Sequence, residues 1–455
     1  EELRWDEEAA RWIVATNRGD RMRAHYVCLA TGPLNKPKLP GIPGVESFEG
    51  HSFHASRWDY RYTGGDSEGN LTGLRGKRVG IIGTGATAVQ CVPHVGEWAE
   101  HLYVFQRTPS SIDVKHNPPT DPEWVKTLGP GWHRHRMDNF NALVSGVPQP
   151  EDLVNDGWTD LIGKLLLGLR QGRSADLSPE GIGRAVELAD FEKMEEIRAR
   201  VAATVRDPAT AEALKPYYRQ FCKRPCFHNE YLETFNRPNV TLVDTRGRGV
   251  ERITKKGGVV DGREFEVECL IYASGFEVGT DYSRRAGLEI HGRNGQSLTE
   301  KWEGGIRTLH GMHVHGFPNC FLMSNPQAGF TANYPHLLDE QAKHLAYIIQ
   351  TGLERSLRSI EVSEEGEAAW VQACIDKARN VGDFLENCTP GYYNNEGKTS
   401  ERSAQNGFYG GGAIECFGNL PRWRGGGPLQ GGVRPSPPAP RLPAPAPPRR
   451  QPPRR

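Results

Sequence analysis

The apolar run Lys77–Ile82, KRVGII, leads straight into Gly83-Thr84-Gly85-Ala86-Thr87-Ala88 and then VQCVPHV. An apolar run, a GxGxxA turn and a helix-like stretch in that order read as the opening of a dinucleotide-binding βαβ unit. Gly83 permits the tight turn, Gly85 lets the backbone approach a pyrophosphate, and Ala88 is small enough for the helix to pack on the strand. Free N–H groups and a partial positive charge at the helix N-terminus complete a phosphate cradle over Gly83–Ala88. Pro93, inside that helix, predicts a kink or an early end. The next strand, Leu102–Phe105, ends in Gln106-Arg107-Thr108 where an NAD site would carry Asp or Glu. A cation and a hydroxyl there suit a 2'-phosphate, which points to NADPH.

A chain of 455 residues exceeds what one hydrophobic core organises, so two domains, or one inserted in another, are expected. Its 56 Lys plus Arg balance 56 Asp plus Glu, which argues against nucleic acid or an anionic membrane surface as partner and favours small-molecule chemistry. No apolar run approaches the roughly 18 residues of a membrane span, and the opening EELRWDEEAARW is unlike a signal peptide. A soluble cytoplasmic protein is expected. The nine cysteines form no paired CxxC clusters and the fifteen histidines no HExxH, so free, mostly buried thiols and no metal are expected.

Trp12, Val14 and Thr16 alternate as a strand does, Gly19-Asp20 turns, and His25–Leu29 runs as a second strand into Ala30-Thr31-Gly32. This opening reads as the middle of a domain, and an N-terminal part is expected to be missing. Pro33–Pro43 is a Pro/Gly connector. Residues 115–220 read as a helical insertion, with amphipathic stretches at Leu161–Leu169, Ala185–Val205 and Ala209–Tyr217. Strand-like runs return at Val240–Val243 and Val267–Ala273, and Thr308–Ser324 is strand-rich. A long helix then carries Leu337 to Ile349, and Ser363 caps another. From about Gly425 the chain is Gly, Pro, Ala and Arg without acidic residues, the composition of a disordered tail, of a PxxP ligand or of a reading-frame artefact.

The segment Phe48–Asp59, FEGHSFHASRWD, fits FxGxxxHxxxW followed by Pro or Asp through Phe48, Gly50, His54, Trp58 and Asp59. On these residues the chain resembles the Baeyer-Villiger monooxygenases. The order of features agrees over residues 5–420: Ala-Thr-Gly strand end, fingerprint, glycine loop, VFQRTP, helical insertion, Lys223-Arg224 and Ala273-Ser274-Gly275-Phe276. The resemblance implies an α/β fold of two Rossmann-like domains, the NADP domain inserted in the FAD domain. The expected division is 1–40 and 276–424 for FAD, 41–114 and 221–275 for NADP, 115–220 for the insertion and 425–455 for the tail.

Read alone, His54 is a lone loop histidine, Trp58 a core or interface aromatic, and Lys223-Arg224 a solvated pair of cations. The resemblance implies more. The fingerprint would couple domain movement, Lys223 would bind the 2'-phosphate beside Arg107 and Thr108, and Arg224 would lie over FAD and stabilise a flavin peroxide anion. NADPH, FAD, O2 and a ketone would yield an ester or lactone. Ser324–Gln327, Asn333 and Tyr334 are candidate flavin or substrate contacts. The family's first glycine loop, expected upstream of Ala30, is not in this sequence. An N- or S-oxygenating flavin enzyme, and an inactive NADP-binding module, remain open as alternatives here.

Overall fold

The computed structural model describes residues 1–170, 178–378, 384, 386–398, 400–426, 429 and 433–436. Its central feature is a five-stranded parallel sheet in the order Val240–Asp244, His101–Gln106, Arg78–Ile82, Cys269–Tyr272, His51–His54. Strands Arg78–Ile82 and Cys269–Tyr272 are apolar without alternation because both faces of the sheet are covered. Helix Ala86–Trp98 and Tyr231, Leu232 and Phe235 pack on one face, with Val79, Ile81, Leu102 and Val104 beneath them. On the other face Phe105 and Leu270 meet a three-stranded antiparallel sheet, Arg252–Ile253, Gly257–Val260 and Arg263–Glu266, through Phe265.

The fingerprint is therefore not a loop. His51–His54 is the edge strand of this sheet, in register with Cys269–Tyr272. Pro93 does not end its helix, which runs unbroken from Ala86 to Trp98.

The chain's first residues belong to a second body. Glu2–Asp6, Arg11–Ala15 and Arg21–Ala24 form an antiparallel meander extended by Glu289–His291, so residues over 280 positions apart share one sheet. Trp12 is fully buried there, and its indole N–H donates to the Pro318 carbonyl at 2.8 Å. Val27–Leu29 pairs in parallel with Cys320–Leu322. Most of Thr308–Ser324, expected to be strand-rich, is instead a buried series of turns. Left-handed backbone at His310, Gly311, Gly316 and Asn319 interrupts it, and Cys320–Leu322 is the strand that remains.

The long helix spans Tyr334–Glu354, and Ser363 caps Glu364–Lys377 by accepting from the Gly366 N–H. The described residues of 115–220 include the helices Pro122–Lys126, Trp132–Val144, Gly157–Arg170, Pro179–Thr204 and Pro208–Leu214. Asp121, Ser178 and Asp207 each cap a helix that begins with proline, where the missing N–H costs nothing. Part of the expected disordered tail is ordered, since Val433–Ser436 pairs antiparallel with Ser359–Val362. The PAPAPP stretch lies outside the described residues. Among those described, no helix is long and apolar enough to cross a membrane.

The expectation of free thiols fails at one pair: Cys222 and Cys388, 166 positions apart, are disulfide-bonded. No spacing rule connects residues so distant; only the fold brings them together.

Candidate active site

Gly83 leaves the central strand at φ +111°, and a Cβ there would lie 2.5 Å from the Ala273 carbonyl, so both conformation and space require glycine. Gly85 differs. Its φ of −73° suits any residue, yet a Cβ would meet nothing within 4 Å. That open space faces a helix N-terminus with no side-chain cap and no acidic residue in its first turn. A pyrophosphate fits such a cradle, because unpaired N–H groups and the helix dipole favour an anion. Thr84 and Ser110 brace the loop: Thr84 Oγ1 donates to the Thr108 carbonyl at 2.7 Å, and Ser110 Oγ donates to the Thr84 carbonyl at 2.5 Å. Ala88 is fully buried under the helix.

Beyond the second strand the fold gathers cations from three places. Arg107 Nη2 and Lys223 Nζ both donate to the Pro390 carbonyl, at 3.4 and 3.0 Å. Arg107 also pairs with Glu396 at 3.1 Å, and Lys38 reaches the other Glu396 oxygen at 3.4 Å. Burial, and then the Arg107 charge, lower the Lys223 ammonium to about 8. Thr108, grouped with these cations by sequence, contributes its carbonyl to the glycine loop.

Arg224 is exposed. Its guanidinium lies 5.8 Å from the Trp158 ring centroid. Tyr392 and Tyr393 stand beside it; burial raises the Tyr392 phenol, while Tyr393 and the Arg224 charge oppose that rise. Among the described residues no carboxylate pairs with Arg224. Trp158, Lys38, Tyr392, Tyr393 and Glu396 were not singled out from the sequence. The turn-rich GYYNNEG, Gly391–Gly397, was the available signal for three of them.

His54 is buried with both ring nitrogens engaged: Nε2 lies 2.9 Å from the Gly275 carbonyl and Nδ1 2.8 Å from Ser56 Oγ. The same Gly275 carbonyl accepts from the Lys38 N–H, and the Ser274 hydroxyl donates to the Lys38 carbonyl. Pro37 and Phe276 form a bridge, so the two connectors between the bodies run side by side with His54 at their crossing. Phe48 packs on the Phe105 face of the sheet, and Gly50 leaves no room for a Cβ against the Glu268 carbonyl. Trp58 donates to Thr63 Oγ1 at 3.1 Å, and Asp59 holds His51 at 3.0 Å while capping Tyr60–Thr63.

In the second body, Thr31 Oγ1 lies 3.2 Å from the Tyr282 hydroxyl, close to Tyr334. The Tyr334 hydroxyl and Asn325 Oδ1 are buried without a hydrogen-bond partner. Such atoms beside Ala30-Thr31-Gly32 fit a bound polar cofactor. Gln327 is not available to one: its amide is spent on Thr308, Ile306 and Gln405. His336, Asp339 and Glu340 bring ligand atoms within 4.8 Å of one another, but Arg134 and Lys343 already neutralise the two carboxylates.

Two bodies whose connectors run together at His54, a glycine loop before an uncapped helix and a cluster of cations have the form of a nucleotide-dependent oxidoreductase. No family model matches the chain. Pentalenolactone D synthase of Streptomyces arenae is 56% identical over 432 residues, covering 94% of this chain and 73% of that protein. A Baeyer-Villiger monooxygenase of Streptomyces coelicolor is 47% identical over 93% of this chain and 70% of its own length. Among solved structures, the polycyclic ketone monooxygenase of Thermothelomyces thermophila superposes with a TM-score of 0.86 at 37% identity, covering 96% of this chain and 73% of that one. The chain belongs to the Baeyer-Villiger monooxygenases, FAD- and NADPH-dependent enzymes that insert an oxygen atom beside a ketone carbonyl to form an ester or lactone.

Proposed function

We propose that Arg224 is the electrostatic centre of ketone oxygenation in this chain, and that Gly83–Ala88 with Arg107 and Lys223 hold NADPH. The observation that carries the first role is an exposed guanidinium with no carboxylate partner among the described residues, one position from Lys223 and beside Trp158, Tyr392 and Tyr393. An unneutralised, permanently charged group stabilises an anion that develops next to it, and its field is worth most where water is excluded. Bound FAD, reduced by NADPH, supplies the activated oxygen; the chain supplies position and charge.

The helix N-terminus at Gly85 would take the pyrophosphate, and Arg107 and Lys223 the 2'-phosphate. Thr31, Asn325, Tyr282 and Tyr334 would contact FAD. Residues 41–114 and 221–275 would form the NADP-binding unit and 115–220 its helical insertion, with 1–40 and 276–424 on the FAD side. His54, locked to Gly275 and Ser56, would transmit movement between the two units through the paired connectors. The similarity to a polycyclic ketone monooxygenase supports a polycyclic ketone as substrate.

The test is Arg224→Ala in FAD-loaded protein. Ester formation should fall at least about a hundredfold while flavin content and NADPH oxidation persist. Arg224→Lys should recover only part of the loss. Ester formation within threefold of the parent would remove Arg224 from this role.

A further inference from the structure

Arg107, one of the two cations assigned to the 2'-phosphate, already holds an anion that belongs to this chain. Glu396 Oε2 lies 3.1 Å from Arg107 Nη2, and Oε1 lies 3.4 Å from Lys38 Nζ. The Pro390 carbonyl, six positions earlier, satisfies Lys223 and Arg107 together. Burial raises the Glu396 carboxyl, but Arg107 and Lys38 outweigh it and hold the group ionised.

This placement is built rather than incidental. Asn395 and Glu396 adopt left-handed backbone, φ +49° and +58°, which side-chain-bearing residues enter only when their surroundings hold them there. The Glu396 N–H donates to the Gly391 carbonyl at 2.7 Å, and Asn394 Oδ1 accepts from the Gly391 and Gly397 N–H groups at 2.9 and 3.1 Å. At its start the strap is tied by Cys388 to Cys222, the residue immediately before Lys223. The disulfide therefore fixes both the cation and the segment that covers it.

We infer that Glu396 is a specificity-determining residue: an internal competitor for the 2'-phosphate, kept at high effective concentration by the Cys222–Cys388 bond. The inference rests on the reading that Arg107 and Lys223 receive that phosphate. Two anions cannot share Arg107 without repulsion, so a 2'-phosphate must displace the carboxylate from it. A cofactor with a 2'-hydroxyl makes no such demand and leaves Glu396 in place. Tethering makes the competition intramolecular, so even a weak carboxylate contact lowers apparent affinity. A dithiol reductant would cut the tether: two electrons and two protons pass to the cystine, giving two thiols, while the dithiol closes to its own disulfide.

Binding of 2',5'-ADP and of 5'-AMP to the full chain, measured by calorimetry, tests this without any turnover. Glu396→Gln should tighten 2',5'-ADP roughly five- to tenfold and leave 5'-AMP unchanged. Cys388→Ser, or dithiol treatment of the parent, should tighten 2',5'-ADP a few-fold, with no added gain in Glu396→Gln. Arg107→Ala separates the two layers of the argument. If it weakens 2',5'-ADP while Glu396→Gln leaves binding unchanged or weaker, the competition is refuted and the phosphate site stands. If Arg107→Ala also has no effect, the phosphate site falls and the competition with it.

Discussion

The glycine loop at Gly83–Ala88 and the cations Arg107 and Lys223, which gather with Lys38, are proposed to hold one cofactor, yet they are built in opposite ways. The loop is local. The uncapped helix N-terminus after Gly85 offers its backbone N–H groups, and the open space at Gly85 needs no rearrangement before an anion arrives. The cluster is assembled from positions 38, 107 and 223 and is already engaged by Pro390 and Glu396. Preorganised backbone binds without reorganisation, whereas long cationic side chains must exchange partners. On the proposed assignment, shape sets affinity for the pyrophosphate and competition sets discrimination at the 2' position.

Substituting the two glycines sharpens this contrast most. Gly83→Val would force a branched side chain into left-handed backbone and drive its Cβ against the Ala273 carbonyl. Strain of roughly 1–3 kcal/mol is expected, with a melting temperature lowered by several degrees and NADPH affinity reduced at least about a hundredfold. Gly85→Ala should separate binding from stability. Its backbone is permitted and its Cβ touches nothing within 4 Å, so stability should hold to within about 0.5 kcal/mol. The new methyl would still stand where the pyrophosphate approaches, weakening NADPH and NADH alike by about tenfold. Equal stability losses in both variants would show that Gly85 serves packing instead of binding.

The same contrast explains what was legible in the sequence. Strand Arg78–Ile82, its turn and its helix obey rules that act over a dozen residues, and each of their expected roles concerns neighbours in the chain. The Ser363 cap and the long helix at Tyr334–Glu354 were legible for the same reason. Glu396 was not, because nothing in GYYNNEG announces that its carboxylate meets Arg107 across 289 positions. The Cys222–Cys388 bond was misjudged on similar grounds, since cysteine spacing carries information only when the partners lie close in sequence. Thr308–Ser324 failed differently. Its apolar residues are buried as expected, but glycines and left-handed residues spend that burial on turns. His54 was placed in a loop because HSFH carries one apolar residue, too little for a strand pattern to register.

The smallest expected effect is the pH dependence of the cluster. Burial and the Arg107 charge lower Lys223 to about 8, so its cationic form dominates below that pH and is lost above it. A bound 2'-phosphate favours the ammonium, which means that binding above pH 8 must take up a proton and affinity must fall as pH rises. For NADPH, kcat/KM should stay level from about pH 7 to 7.5 and decline by a few-fold toward pH 9, while NADH, lacking the phosphate, should show no such decline. Arg107→Ala removes a neighbouring charge that lowers Lys223, so the breakpoint should move to higher pH in that variant even though overall affinity drops. A profile for NADPH that stays flat to pH 9.5, or one shared by NADH, would place Lys223 outside the 2'-phosphate site and leave Arg107 alone in that role.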